Sequence, residues 1–167
     1  MASRRKSREL ALQMLFQWEV GQHTTAHVVA TFLKPKEVDA PENTFARELF
    51  QGTVDEVPKL DPMLRQHASN WSLERMAAVD RNVIRLALFE MLHHTETSPS
   101  VIINEALDIA RRFSGEKSAH FVNGVLDAIR KTIPARGVEA NSDPHVSLAK
   151  KSPSKKRHDR PQKSRKK

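Results

Sequence analysis

Residues 81–94, RNVIRLALFEMLHH, place Val83, Ile84, Ala87, Leu88 and Met91 at i, i+1, i+4, i+5 and i+8. That repeat covers one face of a helix; the apolar residues of a half-buried strand would alternate instead. Asp80 stands where a side chain can cap this helix, and Asp80, Arg81, Arg85 and Glu90 are candidates for ion pairing along it. Downstream the same period recurs. SVIINEALDIARRF, residues 100–113, is bounded by Pro99 and by Ser114–Gly115, and residues 117–131 carry Phe121, Val122, Val125, Leu126 and Ile129. Upstream, Ser72 can cap a short helix, LERMAAV. A longer helix runs from Thr44 with Phe45, Leu49, Gly52 or Thr53, and Val57 along one side. Pro58 removes a backbone donor there, so a kink or a tight restart is expected, with Leu60 and Leu64 continuing the stripe. Residues 25–34 form a shorter amphipathic stretch stopped by Pro35, after which KPKEVDAPEN reads as a loop. At the start, SRELALQMLFQWEV (residues 7–20) aligns Leu10, Ala11, Met14, Leu15 and Trp18, with Ser7 a candidate cap and Gly21 a terminator. Seven helical segments and no strand alternation predict an all-α domain over residues 1–133.

Charge is spread unevenly around that body. Residues 150–167 hold ten basic residues against Asp159 alone, and residues 1–8 add Arg4, Arg5, Lys6 and Arg8 with no acid. The remainder is mildly acidic, although the whole chain carries a formal +8. An acidic body between two basic ends suggests a folded domain that recruits polyanions through its termini. Residues 135–167 contain only six hydrophobic residues, too few to offset an ordering cost of about 1–2 kcal/mol per backbone residue. Residues 134–167 are therefore expected to be a disordered, Lys/Arg-rich tail.

Composition also excludes chemistry. With no cysteine there is no disulfide scaffold, thiolate zinc site or thiol nucleophile. No apolar run approaches the length of a membrane span, and Gln13, Gln17 and Glu19 interrupt any signal-peptide core, so a cytoplasmic location is expected. His93 and His94 are adjacent and point about 100° apart on a helix, which suits surface or capping roles better than one shared metal ion. There is no HExxH, no phosphate-binding glycine loop and no nucleophile elbow. Neither a cofactor, a metal nor an enzymatic activity is expected.

Four segments in order carry a specific resemblance: RRKSRELALQMLFQWEV (4–20), WSLERMAAVDRNVIRLALFEML (71–92), VIINEALDIARRF (101–113) and KSAHFVNGVLDAI (117–129). Together they resemble the NusB family of bacterial transcription antitermination factors across residues 4–132. The resemblance implies an all-helical fold of two packed three-helix subdomains and a non-catalytic role. It implies binding to the single-stranded boxA element of nascent RNA, including ribosomal RNA, in partnership with NusE, a small-subunit ribosomal protein. It further implies entry of that pair into an antitermination complex on RNA polymerase.

Carried over by position, the resemblance points to Arg4, Arg5, Lys6, Arg8, Phe16, Lys117 and Phe121 as RNA-binding residues. The residue types suit that role, since arginines hold phosphates and fork onto bases, and aromatic faces stack unpaired bases. Phe121 also lies on the apolar stripe with Val125, so core packing competes with RNA contact. Phe16 falls one residue off the Leu15–Trp18 stripe and is expected to be partly exposed. For NusE, the resemblance points to Glu74 and Asp80, with helix capping the rival role for Asp80. Asn104 and Asn123 read as buried residues that fix helix packing. Other functions fit less well. An RNA methyltransferase accessory domain would need an attached Rossmann-type domain, for which 167 residues leave no room. A DNA-binding regulator would need mid-helix cations. An assembly factor or RNA chaperone holding the free ribosomal protein remains the alternative.

Overall fold

The computed structural model describes residues 2–34, 40–68 and 72–134, with side chains from Arg4 onward. Six α-helices appear in order: α1 (Ala2–Val20), α2 (Thr25–Phe32), α3 (Pro41–His67), α4 (Ala78–His93), α5 (Pro99–Ser114) and α6 (Glu116–Arg130). A 3-10 turn over Leu73–Arg75 supplies the seventh helical segment, and no strand occurs among the described residues. The expected disordered tail lies, past Pro134, outside the described residues.

The helices group as two triads. In the first, α1 packs on α2 and α3; in the second, α4, α5 and α6 pack on one another. Contacts of α4 with α1 and α3, and of α6 with α3, join the triads. The hub is α4, whose residues Asn82 to Met91 are all buried. A helix buried on nearly every side must satisfy the charges it carries, and α4 does so for Arg81, Arg85 and Glu90 through its neighbours.

Arg85 donates paired hydrogen bonds of 2.8 Å to Asp61 on α3 and also meets Glu19 on α1, which Arg81 reaches as well. Glu90 is paired with Arg8 of α1. The charges of α4 thus staple other helices to it rather than one another along their own helix.

Element boundaries moved in four places. α1 takes in the basic residues and starts at Ala2, so Ser7 is an interior position whose buried hydroxyl donates to the Glu42 carbonyl at 2.8 Å. α3 starts at Pro41 rather than Thr44, because a proline at the first helical position needs no partner for its missing N–H. Its two prolines, Pro58 and Pro62, neither break it nor restart it. Both are exposed, so the carbonyls they leave unpaired lie on the wet side, while buried Leu60 and Leu64 hold the other side in the core.

The segment LERMAAV is not an α-helix. Arg81 donates to the carbonyls of Leu73 and Met76 at 2.9 and 2.8 Å, which fixes a single tight turn, and Ser72 makes no side-chain cap bond there. Finally, α4 is capped at Ala77, which puts Asp80 inside the first turn rather than at the cap.

Geometry calls for glycine at two of the helix contacts and junctions, Gly52 and Gly115. A Cβ on Gly52 would sit 2.1 Å from Phe89 Cζ, so glycine lets α3 and α4 approach. Gly115 takes φ 102 between α5 and α6, a left-handed value that disfavours other residues, and its N–H donates back to Ala110 and Arg111.

Candidate nucleic-acid interface

The start of α1 presents Arg4, Arg5 and Lys6 to solvent and turns Arg8 inward. This division follows helical geometry, since Ser7, Arg8, Ala11 and Leu12 lie on the face that packs against the core. Arg8 Nε donates to Glu90 Oε2 at 2.9 Å and Nη2 donates to Oε1 at 2.5 Å, in a pair almost wholly removed from water. Burial opposes the Arg8 charge, but the hydrogen bonds and charge of Glu90 overcome it and raise its pKa further.

Arg5 is exposed and held from α5. It donates to both Glu105 oxygens, at 3.0 and 2.8 Å, and to Asp108 at 2.9 Å. Glu105 also faces Arg8 at 3.7 Å, so one carboxylate bridges an exposed arginine and a buried one. The hydrogen bonds from Arg5, against some desolvation, hold Glu105 below the usual carboxylate pKa, with help from the charges of Arg5 and Arg8. Further along, Arg112 donates to Glu9 at 2.6 Å. These groups line an open groove of about 840 Å³ that includes Arg4, Arg5, Lys6, Ser98, Val101, Glu105 and Arg112. Five cations, Arg8 included, outnumber the carboxylates of Glu9, Glu96 and Glu105 around it, so the rim is cationic on balance.

The other candidates are placed differently. Phe16 is 39% exposed and lines neither this groove nor the next. Lys117 is exposed and Phe121 half-buried against the core; with Glu116 and His120 they line a separate hollow of about 460 Å³ at the start of α6. The structure therefore gathers Arg4, Arg5 and Lys6 around one groove, and Lys117 with Phe121 around another.

Glu74 is exposed in the 3-10 turn, 3.4 Å from Arg65, and its own backbone amide leads in lowering its pKa, with Arg65 and Ser72 assisting. Asp80 is buried, and its Oδ1 has no hydrogen-bond partner among the described residues. Asn104 and Asn123, expected inside, are both exposed. Their positions fall on the outer faces of α5 and α6, whose inner faces are filled by Ile102, Ile103, Ala106, Val122 and Val125.

Of the adjacent histidines, His93 meets Glu56 at 2.8 Å at the surface, and buried His94 follows α4 as its C-cap. No cluster able to hold a metal ion occurs among the described residues. Sequence reasoning missed Glu105 and Glu90, the carboxylates that orient Arg5 and Arg8. No local signal points to them, since Glu90 lies 82 residues from Arg8 and Glu105 lies 100 from Arg5.

An all-helical bundle with a cationic groove at one helix start has the charge pattern that attracts polyanions. Comparison with known proteins narrows this. The NusB family pattern matches residues 5–131, so the chain belongs to the NusB family. It is similar to the transcription antitermination protein NusB of Koribacter versatilis, 45% identical over 80% of this chain and 92% of that one. The NusB of Solibacter usitatus is 42% identical over 86% and 97%.

Among solved structures, T. maritima NusB superposes with a TM-score of 0.71 at 34% identity, covering 77% of this chain and 90% of that one. A crystal structure of antitermination factors NusB and NusE in complex with dsRNA contains a chain with TM-score 0.70 and 25% identity, covering 79% and 98%. The protein is a binding factor and not an enzyme. No helix among the described residues is long and apolar enough to cross a membrane.

Proposed function

We propose that this chain is a cytoplasmic transcription antitermination factor. It binds the boxA element of nascent transcripts, ribosomal RNA included, together with NusE, and joins an antitermination complex on RNA polymerase. The observation that carries this reading is the groove at the start of α1, where Arg4, Arg5 and Lys6 stand exposed on one rigid helix. Cations with held geometry can position a single strand and discriminate its bases, which a mobile polycation does poorly. The solved NusB–NusE–RNA complex of a similar chain supports the choice of partner.

Within this reading Arg4, Arg5 and Lys6 contact RNA, and Arg8 acts from inside by fixing the helix start. Phe16, Lys117 and Phe121 extend the RNA surface toward α6. Glu74 meets the basic ribosomal protein from the surface, while Asp80 shapes the start of α4 behind it.

Fluorescence anisotropy with labelled boxA and scrambled single strands tests the proposal. Binding should be weak for the chain alone and tighter, with a preference for boxA, when NusE is added. Replacing Arg4 and Arg5 with Ala should erode that preference. Equal affinity for the two RNAs in the presence of NusE would refute it.

A further inference from the structure

Arg4 lines two grooves at once. One is the cationic groove it shares with Arg5 and Lys6; the other, of about 460 Å³, is framed by Ser7, Phe45, Glu48, His94 and Glu96. In the second groove the Arg4 guanidinium carbon stands 3.8 Å over the centre of the Phe45 ring. That ring is itself fixed, because Phe45 is buried and the His94 ring meets it edge-on at 5.5 Å. Arg5, Arg8 and Arg112 direct their guanidinium groups to carboxylates. Among the described residues Arg4 makes no such hydrogen bond; the Phe45 ring supports it, and its charge acts on Glu96 at the rim. A guanidinium resting on an aromatic ring by one face offers a planar cation on the other, and such planes stack unpaired bases.

The rim of the groove selects what can lie there. Glu48 and Glu96 are exposed carboxylates, and Glu96 is steadied by His94 Nδ1 at 3.3 Å. Carboxylates repel a phosphate but accept hydrogen bonds from amino groups on a base edge. Arg4 and Glu96 line both grooves, so a strand with phosphates along Arg5 and Lys6 passes the mouth of the second one.

We propose that this second groove is a nucleobase subsite, in which one base of the bound RNA stacks on the outer face of Arg4 and donates from its edge to Glu48 or Glu96. Guanine fits best, since its N1–H and N2 amino group are adjacent donors that match the two oxygens of one carboxylate. Uracil fits worst, because carbonyls flank its single N–H. The inference rests on the RNA-binding reading above and goes beyond it by assigning a base pocket.

The test uses the full chain with NusE and a series of single-stranded boxA RNAs, each carrying one abasic nucleotide. For the unaltered protein one abasic position should weaken binding roughly ten-fold, as loss of a stacked base does. Arg4→Lys keeps the charge but loses the plane. It should lose a similar factor with intact RNA and become insensitive to that one abasic position, while responding normally at the others. Placing inosine, which lacks the N2 amino group, at a guanine in that position should weaken the unaltered protein and not Glu96→Ala combined with Glu48→Ala.

Equal losses for Arg4→Lys and the unaltered protein at every abasic position would overturn the subsite and leave Arg4 a simple charge. A loss of NusE binding without RNA in these variants would also overturn it, assigning the groove to a basic protein side chain. Absence of RNA binding by the unaltered pair would instead overturn the underlying RNA-binding reading.

Discussion

Arg5 and Arg8 are the same residue type three positions apart, yet one faces water and the other is enclosed with Glu90. Removing one partner of an enclosed pair leaves a charge without compensation, which costs about 3–5 kcal/mol. Glu90→Ala should therefore lower unfolding free energy by roughly that amount in urea titrations, whereas breaking the exposed Lys131–Asp127 pair by Lys131→Ala should cost below about 1 kcal/mol.

Glu105 adds a pH dependence. Hydrogen bonds from Arg5 depress its folded-state pKa, so its stabilising contribution is complete above the unfolded carboxylate pKa. That contribution disappears as pH falls through the depressed folded value. Glu105→Gln should flatten the acid limb of stability against pH, measured by thermal melts across acidic buffers. The same change loosens the hold on Arg5, so the variant should keep its affinity for single strands but lose part of its preference for boxA over scrambled RNA. An unchanged preference would mean that Glu105 does not orient Arg5 for binding.

At the scale of elements, the close approach of α3 and α4 depends on what is absent from Gly52. Alanine has the higher helix propensity by about 1 kcal/mol, so an isolated helix would gain from the exchange. Here the added methyl would collide with the Phe89 ring, and Phe89 is itself packed beside His93 at 4.7 Å. Gly52→Ala should destabilise the protein by about 1–3 kcal/mol, the usual cost of overpacking, as read from the chemical-denaturation midpoint. A gain in stability would show that the ring yields freely. The stripe of residues 44–57 had marked Gly52 or Thr53 as core-facing; Thr53 is buried and Gly52 is the contact point.

For the whole molecule, the apolar stripes all lie before Pro134. Truncation after that residue should leave circular dichroism strongly helical and thermal unfolding cooperative; loss of the helical signal would move the domain boundary. The ten cations of residues 150–167 are expected to add affinity for any RNA by releasing counterions, with a slope near −0.7 in log affinity against log salt per neutralised phosphate. Deleting them should flatten the salt dependence and spare the preference for boxA over scrambled RNA. Loss of the preference would transfer specificity from the α1 groove to the tail.

Periodicity is a local property, and the sequence alone was enough for what depends on it. The spacing of Val83, Ile84, Ala87, Leu88 and Met91 and its counterparts elsewhere pointed to an all-α domain, and among the described residues six of the segments fold as α-helices with ends shifted by a few residues. The basic start, the absence of cysteine and the family resemblance were equally legible.

Orientation about a helix axis was less so. Asn104 and Asn123 sit in motifs that read as internal, yet the rotation set by packing α5 against α6 leaves both outside. The short LERMAAV segment has helix-forming residues, but Arg81 captures two of its carbonyls and holds it as a turn. Pairings across long stretches of chain belonged to the tertiary structure alone. Glu90 lies 82 residues from Arg8 and Glu105 lies 100 from Arg5, and nothing in the neighbourhood of either arginine distinguishes them. Only when α4 and α5 close against α1 does one charge become enclosed and the other stay at the surface.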